Sequence, residues 1–137
     1  MKRSRTIVPA AVATALALAV LIAPAAHTQP QGLTAKPLLR TTLSGDDTKE
    51  AVIATVEFAP GGTTGRHTHP GDEYAVVLAG TLELRIEGQE PRRVSAGEAY
   101  HNAKGVIHET RNVGDGPARV ASTFVIEKGK PVSQPVQ

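Results

Sequence analysis

No cysteine occurs among the 137 residues. Disulfide bonds are therefore excluded as a source of stability. So is a lipid anchor attached through cysteine. The absence leaves the compartment open. Tryptophan is also missing, and only two Tyr and two Phe are present. Few rings are available to stack on bases, and no stretch forms a basic patch, so nothing points to nucleic acid as a partner. After the N-terminal apolar run, no segment keeps a helical period of useful length. Internal repeats and low-complexity tracts are absent as well. The length fits one domain.

The N-terminus carries Lys2, Arg3 and Arg5, then an Ala-rich apolar run from Ile7 to Ala23, then Ala23-Pro24-Ala25. Basic start, apolar centre and small-x-small site, in that order, mark a secretory signal peptide over residues 1–25. Cleavage is expected after Ala25, with Ala26 to Thr28 as near alternatives. An uncleaved anchor is the competing reading, because Ile7 to Ala26 just reaches the ~20 residues a bilayer requires. The mature chain would then be periplasmic or secreted, with the signal segment as its one membrane contact. Cleavage also changes the charge. Losing Lys2, Arg3 and Arg5 leaves 12 of the 15 Lys+Arg against 13 Asp+Glu, so the net charge moves from +2 to −1.

Residues 26–36 read as a linker, broken by Pro30, Gly32 and the following Pro37. Beyond it, apolar residues come in short bursts between turn signals. Strands are expected at Pro37–Leu43, Ala51–Phe58, Tyr74–Leu78, Thr81–Glu87, Gln89–Val94, Ala99–Asn102, Val106–Asn112 and Ala118–Glu127. Alternation within Thr81–Glu87 puts Leu82, Leu84 and Ile86 on one face. Many short strands at near-regular spacing predict an all-β sandwich or barrel over residues 37–128. The tail, residues 129–137 with Pro131 and Pro135, is expected to be a loose arm or a strand-exchange segment.

What the chain does contain is a cluster. Gly61, His67, His69, Glu73 and Gly80 stand close together, and His108 and Asn112 follow. On a strand, His67 and His69 point to the same face while Thr68 points away. Pro70-Gly71-Asp72 reads as a turn that brings Glu73 back toward them. Three imidazoles and a carboxylate suit a divalent transition metal: iron, manganese, nickel, copper or zinc. Around an octahedral ion, four ligands leave two positions open, as catalysis requires. Glu73 is expected either to ligate or to act as a base.

The same stretch resembles the first motif of the cupin superfamily, which places glycine, His-x-His, glutamate and glycine at the spacing of Gly61, His67, His69, Glu73 and Gly80. Gly97, Gly105, His108 and Asn112 are similar to the second motif, with Ala103 standing where the family has proline. Thr81 to Ala96 separate the two motifs, as in small single-domain members of the conserved-barrel type. The resemblance covers Lys36 to Lys128. It implies a six- to eight-stranded antiparallel barrel, a jelly roll, with metal near one end and His67, His69, Glu73 and His108 as ligands. It also implies a homodimer formed by exchange of edge strands.

Other residues have plainer readings. Asp72 is a solvated turn residue, turned away from the site by parity. His101 is a surface residue, or a group facing the substrate. Tyr100 packs, Tyr74 faces away, and Asn112 is structural. Arg66 is an exposed arginine that could meet an anion. Gly61, Gly80, Gly97 and Gly105 are turn positions that accept unusual backbone angles.

Three functions are consistent with this reading. The first is a metal-dependent oxidoreductase, dioxygenase-like, acting on a small organic substrate. The second is redox-neutral Lewis-acid chemistry as an isomerase, lyase or hydrolase. The third is a non-enzymatic, metal-dependent binder of a small ligand. Metal loading outside the cytoplasm would favour copper or zinc by affinity order.

Overall fold

The computed structural model describes residues 30–136. The signal segment and its cleavage site lie outside the described residues. Ten strands and no helix make up the described chain: β1 (Gln31–Leu43), β2 (Asp46–Thr63), β3 (His67–Thr68), β4 (Gly71–Ala79), β5 (Thr81–Ile86), β6 (Arg92–Ser95), β7 (Ala99–Asn102), β8 (His108–Asn112), β9 (Ala118–Glu127) and β10 (Gln134–Pro135). All pairings are antiparallel. Two leaves result. One runs β1-β2-β9-β4-β7, the other β6-β5-β8-β3-β10, and Thr63 opposite Arg111 joins them.

Residues directly opposed in an antiparallel pair share a face, so the register reads as rows across the first leaf. The inner rows are Leu33, Phe58 and Ala118; Ala35, Val56, Val120 and Val77; Pro37, Ala54, Ser122, Ala75 and Tyr100; and Arg40, Val52, Phe124, Glu73 and Asn102. The outer row Leu39, Ile53, Thr123, Tyr74 and His101 faces away from the barrel.

The two ends of the interior are filled differently. One end holds a cluster of Phe58, Ala75, Val77, Leu82, Leu84, Val94, Tyr100, Ala118 and Val120. Leu82 and Leu84 are fully buried, on the face that alternation predicts. Each such side chain contributes about 1.5–3 kcal/mol by leaving water. The other end has only Val52, Phe124 and Ile126, with Ala54 and Val132 against them.

Single residues close the loops. Gly80 turns β4 into β5 at φ +79°, and an added Cβ would sit 2.7 Å from Ala118 Cβ. No side chain fits there. Asn112 is the structural residue expected. Its Nδ2 reaches the carbonyls of Phe58, Ala59 and Gly116 at 3.2, 3.1 and 2.8 Å, and its Oδ1 accepts from Gly114 N–H at 3.0 Å. One side chain at the end of β8 thus ties the following loop to β2.

Two expectations are corrected. Residues 31–36, read as linker, belong to β1 and pair with β2. Pro37 does not stop this strand, because β1 is an edge and a register shift between Pro37 and Leu39 absorbs the missing N–H. The tail is not loose. Gln134 pairs with Thr68 and Pro135 with His67 in the same chain, and Val136 N–H donates to Arg66 carbonyl at 3.1 Å. Its start is held too: the Arg40 guanidinium bonds Glu50 and donates to the Lys130 carbonyl at 3.1 Å, while Gly129 N–H donates to Glu50 at 3.2 Å.

Candidate metal centre

His67 begins β3 and pairs in register with His108 of β8, so both imidazoles enter the barrel from one face. His69 follows on the same side, and the bend at Pro70 passes the chain into β4, where Glu73 points inward. The ring centroids lie 4.8 Å apart for His67 and His69, 4.2 Å for His67 and His108, and 4.9 Å for His69 and His108. One nitrogen from each ring lies within 4.8 Å of the others. All three are buried.

Each ring is oriented by a backbone carbonyl. His67 Nδ1 donates to Gly65 at 3.0 Å, His69 Nδ1 to Val132 at 2.6 Å, and His108 Nδ1 to Val106 at 3.0 Å. A carbonyl only accepts, so the proton sits on Nδ1 and the lone pair on Nε2. The Nε2 atoms of His69 and His108 are buried without a hydrogen-bond partner. Glu73 Oε2 stands 3.4 Å from His69 Nε2 and 3.6 Å from His108 Nε2. Buried lone pairs aimed at a carboxylate are costly unless something positive lies among them. The donor set and the orphaned nitrogens therefore fit a metal cation.

Both Glu73 oxygens are held. Asn102 Nδ2 donates to Oε2 at 2.8 Å and Ser122 Oγ to Oε1 at 2.7 Å. Burial pushes the Glu73 acid up, but the polar groups around it, with Ser122 Oγ–H donating to Oε1, outweigh it and hold the carboxyl well below its usual range. His67 is lowered to about 4, by burial first and then by the neighbouring His108. The Tyr100 phenol, buried and close to the Glu73 charge, is pushed well above its ordinary value.

The structure thus brings His67, His69, His108 and Glu73 together. It leaves the remaining candidates outside. Asp72 accepts from Lys104 N–H at 2.9 Å, away from the centre. His101 stacks on Tyr74 on the outer face, at 4.9 Å and 18°. Arg66 is exposed and paired with Glu87 at 2.7 Å. Gly61, Gly80, Gly97 and Gly105 all have positive φ. The turn at Ala103 forms without proline, closed by Val106 N–H to Ala103 at 3.2 Å and by Gly105 N–H to His69 carbonyl at 3.0 Å. Sequence reasoning missed Asn102, Ser122 and the Val132 carbonyl.

Beside the centre lies a cavity of about 360 Å³. The three histidine-end groups His67, His69 and Glu73 close one end, and Thr64 and Ser133 add hydroxyls. Leu33, Ala35 and Pro37 of β1, Val52, Ala54 and Val56 of β2, Phe124 of β9 and Val132 of the tail form the walls. They are the inner rows of the first leaf, seen at its sparsely filled end.

Known proteins share this fold. The sequence profile of Cupin_2, the Cupin domain, matches residues 54–126. No curated protein matches the sequence. Among solved structures, oxalate oxidase in complex with the substrate analogue glycolate is 26% identical, with a TM-score of 0.63 over 85% of this chain and 61% of that one. The chain therefore spans about three fifths of that relative's length. The Cupin_2 domain of an XRE-family transcriptional regulator from Enterobacter cloacae is 26% identical, with a TM-score of 0.55 over 70% of this chain and 97% of that one. An uncharacterized conserved protein with a double-stranded β-helix domain from Klebsiella pneumoniae is 18% identical, with a TM-score of 0.63 over 81% and 91%, a likeness of fold. The all-β barrel, with its inward-facing histidines carried by the two motifs, belongs to the cupin superfamily, and this chain is a member of it.

Proposed function

We propose that this protein is an exported, metal-dependent oxidoreductase of the dioxygenase-like kind, acting on a small organic substrate. One observation carries the reading: three buried imidazoles, each oriented through Nδ1, aim Nε2 at one point at the end of an apolar cavity. His67, His69 and His108 would hold the metal. Glu73 is the fourth ligand through Oε2. Asn102 and Ser122 anchor both its oxygens, which favours a fixed ligand over a swinging base. The bound divalent metal would supply positive charge for a substrate oxygen and, if redox-active, electron exchange with dioxygen. The apolar walls, buried at Val52 and Phe124 and open to solvent along β1, shield one side of a substrate held there. Likeness to oxalate oxidase supports oxidation over redox-neutral chemistry.

The test compares Fe²⁺-, Mn²⁺- and Zn²⁺-loaded protein across phenolic, keto-acid and hydroxy-acid substrates. Oxygen uptake with iron or manganese and none with zinc is expected, since zinc has no redox chemistry. Turnover with zinc alone would replace the reading with isomerase, lyase or hydrolase chemistry.

A metal-dependent binding module is the second reading. It is favoured by the match to nearly the whole of a regulator's cupin domain. Ligand binding without oxygen uptake or product would select it.

Export rests on the order of residues in 1–25. A mature mass beginning near Ala26, measured on protein from its native compartment, is the expected result. A homodimer is supported by the exposed Leu39, Tyr74, Val76 and Leu78 on the outer face of the first leaf and by the free edge of β1. Light scattering at monomer mass would remove it.

A further inference from the structure

The cavity walls carry information about the ligand that the metal centre does not. Among the described lining residues the ionisable ones are His67, His69 and Glu73, all at the metal end. Lysine, arginine and aspartate are missing from the lining. Arg40 shares the inner face of β1, but its guanidinium is taken by Glu50 and the Lys130 carbonyl. Arg66 is taken by Glu87 at the surface.

Charge balance then limits what fits. A divalent ion with the Glu73 carboxylate carries one net positive charge. One anionic oxygen chelator neutralises it. A second carboxylate on the same molecule would lie against Leu33, Val52, Ala54, Val56 and Phe124 with no cation to meet it, and an isolated buried charge is strongly disfavoured. Alkyl or aryl surface placed there gains instead, by about 0.8 kcal/mol per methylene, roughly fourfold in affinity. The volume of about 360 Å³ lies at the small end of the ~300–1,000 Å³ usual for ligand pockets. Ala35 and Ala54 provide that room, since larger side chains at these inner positions would fill it.

Resting on the metal-centre reading above, we infer that the ligand is a singly charged oxygen chelator with a branched-alkyl or aryl body, and that dicarboxylates are rejected. On this inference a two-carbon chelator such as oxalate or glycolate, which carries no apolar body, gains nothing from these walls.

The experiment uses zinc-loaded full-length protein, which cannot turn over oxidatively, and three probes with one chelating head. Glycolate has no body. Malate and 2-hydroxy-4-methylpentanoate have bodies of near-equal shape, one ending in carboxylate and one in two methyls. Calorimetry is expected to show 2-hydroxy-4-methylpentanoate binding on the order of a hundredfold tighter than glycolate, with malate no tighter than glycolate. Malate binding as tightly as its apolar counterpart, to protein that holds its zinc, overturns the inference and leaves the metal centre standing. Protein that takes up no zinc and binds none of the three overturns both. Ala35 is an exposed position on an edge strand, so Ala35→Arg tests the wall without disturbing the core. It should narrow the gap between the two bodies by up to about fivefold, the order for a new charge pair at an exposed site. An unchanged gap removes this wall from the ligand site.

Discussion

The two ends of this barrel are built from the same strands and do opposite things. At one end β2, β4 and β9 present Phe58, Val77 and Val120 to Leu82, Leu84 and Val94, and the space is full. A few residues along the same strands, Val52, Ala54, Glu73 and Phe124 face each other and leave a cavity. Side-chain volume along one inner face decides between stability and chemistry. The packed end supplies the rigidity that lets the open end keep buried, unpartnered nitrogens, which cost stability there.

Mutations should separate the two ends. The largest effect is expected from His108→Ala, which should fold but bind metal more weakly by on the order of a thousandfold, beyond the ~10–100-fold that a lost supporting residue costs. Stoichiometric metal in the purified variant would remove His108 from the centre. Next comes Leu84→Ala at the packed end. Its side chain is 1% exposed, so the loss should be about 2–5 kcal/mol in denaturant unfolding. Metal content per folded molecule should stay unchanged. A variant that lost metal while folded would show that the ends are not independent.

A further effect should come from pH: above about pH 5 it acts through His67 at the open end, and below that the carboxyls of Asp46, Glu50 and Glu127, also held down by their partners, add to it. His67 is held neutral in the fold, lowered from 6.5 to about 4. Between these values the unfolded chain binds the proton and the folded one does not, so stability rises with pH. The contribution is complete above pH 6.5 and is lost as pH falls to about 4, amounting to about 3 kcal/mol for the metal-free protein. Glu73 acts in the same sense at lower pH, because its carboxyl is also held down. Urea midpoints measured across this window give the slope. A flat profile from pH 6.5 to 4 would mean that His67 is not buried neutral.

The parts legible in sequence were those with local causes. The His67-x-His69 spacing and strand parity told which side chains act together. The positive φ at Gly80, Gly97 and Gly105 was readable as turns because only glycine accepts it cheaply, whereas Gly61, read as a turn, lies at an irregularity inside β2. The strands β7 and β9 were found with their observed bounds. What depended on register was hidden. Asn102 meets Glu73 because β7 pairs with β4, and Ser122 meets it because β9 lies on the other side. Neither residue type nor spacing announces that. The strand at 31–36 was obscured by Gly32 and Pro37, which an interior strand would not tolerate but an edge does. The cavity was invisible for a related reason: Ala35 and Ala54 are unremarkable until the pairing sets them in one wall.

The hydrogen bond from His69 to Val132 has a kinetic meaning. It joins residues 63 apart in the chain, and His108 arrives from a third segment. No hairpin formed early can present all three nitrogens. Long-range closure of this kind is slow, because loop entropy is lost before the contacts form. Tight metal uptake is therefore a clock for the last step of folding, marking chains whose distant segments have docked and ignoring those that have only collapsed.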